Sequence, residues 1–118
     1  MISERIQKRF LQDPLPIRLG GLAADLARIA SCADDVRDRE ALLSLLEEGK
    51  WFAEWAAAPD APFEVQEILA QVQLKLAQWH RRWLAGKPDP AMRTQAQWWS
   101  GQLLELSGLH EEKLTHER

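Results

Sequence analysis

Residues 65–86, VQEILAQVQLKLAQWHRRWLAG, decide the fold. Val65, Leu69, Val72, Leu76, Trp79 and Trp83 step by four, three, four, three and four. A helix turns about 100° per residue, so these side chains share one face. Pro59-Asp60-Ala61-Pro62 breaks the chain before this run, and Gly86 is a natural stop after it.

Outward from this segment the pattern repeats. Lys87-Pro88-Asp89-Pro90 is a tight connection in which Asp89 can cap and Pro90 can start a helix. Met92, Ala96, Trp99, Leu103, Leu106 and His110 form the stripe that follows, and Gly108 ends it. Upstream, Leu42, Leu45, Leu46, Gly49, Phe52, Ala53 and Ala56 make a third-segment stripe, capped by Asp35 or Asp38. Leu15, Leu19, Leu22, Leu26, Ile29 and Ala33 make a second, for which Asp13 and the following prolines supply the start. Gly20-Gly21 weakens that helix and offers close approach to a neighbour. Ile2, Ile6 and Phe10 mark a short first helix over residues 3–12, capped by Ser3.

Four stripes of similar length with short connections predict an all-α fold. The expected form is an antiparallel up-down four-helix bundle with a short extra N-terminal helix. Residues 1–110 make one domain on this reading, and 111–118 form a polar, frayed tail. Composition agrees. Of the 118 residues, 46% are apolar and 28% charged, which suits one soluble core. The net charge of −3 lacks the basic footprint of a general nucleic-acid binder, so no nucleic-acid partner is expected. No apolar run is long enough to span a bilayer, and the first residues lack the apolar centre of a secretion signal. Cys32 is the single cysteine and cannot pair within the chain. A cytoplasmic protein without a membrane partner is the expectation.

Large apolar groups remain once the stripes are assigned. Trp51 falls opposite the third stripe, and Trp55 lies well off it. Leu74 falls opposite the fourth, and Trp98 lies about 120° from the fifth. Leu104 falls on the other flank of that helix. Three explanations stay open. These groups cover the first helix on wide bundle edges, they form a self-association or partner surface, or they line a small-molecule pocket. Two-fold dimers are the commonest oligomers, so a homodimer through Trp51, Trp55, Leu74 and Trp98 is the specific expectation.

No motif carries chemistry on its own. Glu47, Glu48 and Glu54 would suit a metal-dependent nucleotide hydrolase only if a later helix answered with further carboxylates, and no Glu-x-x-Asp follows. Glu-x-x-His pairs of di-iron bundles are missing. His80, His110 and His116 show no helical metal spacing, so neither metal nor cofactor is expected. Arg5, Lys8, Arg9 and Arg18, and then Arg81, Arg82 and Lys87, could form two small basic patches. Trp79 and Trp83, which flank the second of these, are better spent on the core. The functional reading is a non-enzymatic protein–protein interaction module that self-associates. The alternatives are that hydrolase, or a small-ligand sensor with a pocket beside Trp79, Trp83 and Trp99.

Four runs carry a resemblance: Ser3-Glu4-Arg5-Ile6, Arg18-Leu19-Gly20-Gly21-Leu22-Ala23, Glu47-Glu48-Gly49-Lys50-Trp51-Phe52-Ala53-Glu54-Trp55 and Leu106-Ser107-Gly108-Leu109. Together they resemble a family of small uncharacterised helical proteins of cyanobacteria. The resemblance implies a shared fold and a photosynthetic bacterial cytosol, and it transfers no site residue.

Overall fold

A computed structural model describes residues 4–33, 36–57 and 61–108. Ser3 and the expected tail, 111–118, lie outside these. The described residues are helical, with no strand among them. Helix α1 spans Glu4–Gln12, α2 Leu15–Cys32, α3 Arg39–Ala56, α4 Phe63–Leu84 and α5 Met92–Ser107. A 3-10 turn, Val36–Asp38, leads into α3.

The punctuation acts largely where the sequence places it, but with different caps. Asp13 does not cap α2. Pro14 takes the cap position with extended backbone, and Pro16 sits in the first turn, where a missing N–H is harmless. Asp38 precedes α3 without a side-chain cap bond. Asp89 Oδ1 accepts from the Ala91 N–H at 2.9 Å, one turn before α5 begins at Met92. The expected helix start at Pro90 is therefore a turn. At the other ends, Gly86 and Gly108 adopt φ of +74° and +72°, the left-handed conformation that stops a helix. Behind Gly86, the Lys87 N–H reaches back to Arg82 O at 3.0 Å.

Helix α2 is central. It packs most broadly against α5 and also against α3; α3 in turn packs on α4, and α1 lies on α3. Helices α4 and α5 touch only slightly. Leu19, Leu22, Leu26 and Ile29 of α2 are buried, as are Leu42 and Leu46 of α3, Leu69, Leu76 and Trp79 of α4, and Met92 and Leu103 of α5. Each such side chain contributes about 2 kcal/mol through area removed from water. Small residues let α2 and α5 approach closely: Ala23 and Ala30 face a helix carrying Ala96 and Ser100, all buried. The Ser100 hydroxyl donates to the Ala23 carbonyl at 2.8 Å across that contact.

Close approach through glycine occurs on α3, at Gly49. A Cβ there would stand 3.3 Å from both terminal methyls of Leu76. Gly21 plays no such part, because a Cβ added to it would meet only the Phe10 ring, at 3.8 Å.

Candidate interaction surface

The four residues expected to form the surface, Trp51, Trp55, Leu74 and Trp98, have three different fates. Trp55 is only 7% exposed. Its ring lies 5.9 Å from those of Phe10, Phe52 and Trp51, and Phe10 stacks on Phe52 at 4.4 Å. Trp55 thus covers α1, and the surface expected at Trp51, Trp55, Leu74 and Trp98 loses it as an accessible member. Trp51 is half-buried at the rim of this aromatic cluster. Leu74 and Trp98 face outward, at 60% and 56% exposure. Trp98 packs edge-on against Trp99 at 4.8 Å, so its ring is held rather than free.

Sequence reasoning missed two further exposed groups. Phe63 and Leu84, at the two ends of α4, are more open than Leu74. The signal was available, since both lie on the spacing of four and three residues that runs through Leu74. The inward stripe was the stronger pattern, and these two residues at its ends were assigned to no face.

Burial also reaches groups that the stripes left outside. Arg18 and Asp25 are almost fully buried, because α2 has neighbours on two sides. Arg18 therefore does not join the basic patch of α1, where Arg5, Lys8 and Arg9 border a shallow polar groove. Asp25 Oδ1 accepts from Arg28 Nη1 at 2.9 Å. Its Oδ2 is buried, receives no hydrogen bond and looks toward the carboxyl group of Glu48 on α3. Two carboxyl groups can meet this way only through a proton. Burial first, then Glu48, pushes the Asp25 carboxyl up to about 8, while Arg28 opposes the shift. At neutral pH burial and the neighbouring Glu48 hold the Asp25 carboxyl in its neutral form.

The acidic residues singled out for hydrolysis diverge. Glu48 turns to Asp25, whereas Glu47 and Glu54 border a shallow cleft with Lys50, Trp51 and Gln73. Helix α4 supplies an amide to that cleft, not a carboxylate. Among the described residues no cluster of three or more His, Cys, Asp or Glu could hold a metal ion. His80 sits on the flank of α4; burial, then the Lys50 charge, holds its imidazole below the ordinary range, against Glu47.

The space beside the other tryptophans is open rather than enclosed. Trp79 is 1% exposed and packed in the core, and Trp99 is half-buried. Trp83 lines a cleft of about 190 Å³ with Arg39, Gly86 and Pro88. The Arg39 guanidinium lies 6.0 Å over the Trp83 ring. Arg82 donates to Lys87 O at 3.0 Å and approaches Asp89 at 3.7 Å, so it belongs to the α4–α5 connection. No helix among the described residues is long and apolar enough to cross a membrane. The chain matches no known family model, and no curated protein or solved structure is significantly similar to it.

Proposed function

We propose that this protein is a non-enzymatic helical interaction module that self-associates as a homodimer. In this reading α2 to α5 form an antiparallel up-down bundle with α1 laid across α3, and the module works in the cytoplasm. Kinship with the small helical proteins of cyanobacteria is part of the proposal and rests on the sequence runs alone. The observation that carries the function is the pair Leu74 and Trp98. Both are large, apolar and more than half exposed on the outer faces of α4 and α5. Trp is enriched where proteins bind, and exposed apolar patches mark contacts.

Sedimentation equilibrium of the full chain tests it. A monomer–dimer equilibrium between low and high micromolar concentration is the expected result. A strict monomer throughout that range would sink the self-association.

The cleft of Arg39, Trp83, Gly86 and Pro88 favours a second reading, a small-ligand sensor. Its half-open apolar wall and one cation suit a flat anionic molecule. Quenching or shift of Trp fluorescence by such compounds, lost in Trp83→Phe, would support it.

A further inference from the structure

The outer face of α4 is self-complementary when the helix is reversed. Phe63, Leu74 and Leu84 are 75%, 60% and 67% exposed, and the positions between them on the same face are also solvent-facing. The steps from 63 through 67, 70, 74, 77 and 81 to 84 alternate four and three. That is the spacing of a seam between paired helices, and it runs opposite the seam that faces α3.

The composition of this second seam is symmetric about Leu74. Seven residues to one side stands Glu67, and seven to the other stands Arg81. Ala70 and Ala77 flank Leu74 at four and three residues, and Phe63 and Leu84 close the ends at eleven and ten. Glu67 and Arg81 are exposed, and among the described residues neither has an ion-pair partner. Arg82, next in sequence, is held by the loop after α4, so the two arginines have different duties.

We infer that α4 pairs with α4 of a second copy, antiparallel about a two-fold axis at Leu74, with each Glu67 set against Arg81 of the other copy. The inference deepens the self-association reading and rests on it. Charge selects the direction. A parallel pairing would set Glu67 against Glu67 and Arg81 against Arg81, whereas the antiparallel one makes two opposite-charge pairs. Seven residues of helix rise about 10 Å, so both charges stand equally far from the axis. At a shallow crossing angle they remain within side-chain reach of each other. Ala70 and Ala77 beside the axis let the two backbones come close, and each Leu74 then loses its exposure to the other copy. The same surface on both partners makes the contact closed, so it stops at two copies. One helix pair is a small interface, and association in the micromolar range follows.

Sedimentation equilibrium of the full chain and four variants decides the matter, with circular dichroism to show that each is folded. Glu67→Arg and Arg81→Glu, each alone, turn both pairs into like-charge contacts. Each should weaken the dimer by about tenfold or more. An equal mixture of these two variants restores both opposite-charge pairs in the mixed dimer and should return the wild-type affinity. Leu74→Glu should give a folded monomer. A wild-type dimer indifferent to these substitutions would overturn the α4 pairing and leave self-association standing, and loss of that dimer in Trp98→Ala would move it to α5. Weakening by the single variants without recovery in the mixture would overturn the pairing of Glu67 with Arg81 across the dimer. A wild-type monomer at high micromolar concentration would overturn both readings.

Discussion

Helices α2 and α4 carry the same stepping pattern and lead opposite lives. Helix α2 lies between α3 and α5 and buries eight of its eighteen residues, Arg18 and Asp25 among them. Helix α4 is longer, at 22 residues, but buries only five and turns Phe63, Leu74 and Leu84 to solvent. A run of apolar residues at helical spacing therefore gives the direction of one contact. It does not say how many neighbours a helix has. In α2, with neighbours on two sides, the polar Arg18 and Asp25 are buried at the flanks; in α4, packed mainly on α3, apolar side chains stand exposed at the back.

The contrast should be largest for leucines. Leu26, at 0% exposure in α2, touches the core from all sides, so Leu26→Ala should cost about 3–4 kcal/mol in urea denaturation. Leu74→Ala in α4 should stay within about 0.5 kcal/mol when measured on dilute protein, where no second copy is bound. Equal losses at the two positions would erase the distinction between the helices.

The next effect belongs to Asp25. Its carboxyl ionises near 3.8 in the unfolded chain and is raised to about 8 in the fold. Native protein therefore holds one more proton than unfolded protein between these values. Its contribution to stability is full below pH 4, declines as pH rises, and is gone above about pH 8. Asn reproduces the neutral acid in shape and can still accept from Arg28. Asp25→Asn should therefore stabilise the protein increasingly across this window, more at pH 9 than at pH 4. Melting curves at the two pH values read it directly, and a difference that does not change with pH would place a charged Asp25 in the native core.

The smallest effect concerns Gly21. It lies inside α2, and an added Cβ meets Phe10 at an ordinary 3.8 Å. Gly21→Ala should raise stability by about 0.5–1 kcal/mol through backbone entropy. A loss would mean that α1 sits closer to α2 than this separation and that the glycine is needed for packing.

Much of the secondary structure was legible before any coordinate. The breaks at Pro14 and Pro62 and the stops at Gly86 and Gly108 follow from a missing N–H or from a missing Cβ, which are local properties. The inward residues of α4, Val65 through Trp79, were legible for the same reason: their spacing fixes a direction within one helix. The candidate surface was only half legible. Leu74 and Trp98 are exposed as their angles suggest, but Trp55 lies at a similar remove from its stripe and is buried. The difference is α1, whose Phe10 arrives from more than forty residues away to cover it.

By itself, the sequence determined that this chain is helical, where its helices break and which side of each turns inward. Those follow from backbone chemistry and from the turn of about 100° per residue, both of which act over a few neighbours. Only the tertiary structure decided that α2 is central, that Asp25 meets Glu48, that Trp55 is covered and that the back of α4 is bare. Each of these depends on which helices lie side by side, and that is settled by packing among distant segments rather than by the pattern within any one of them.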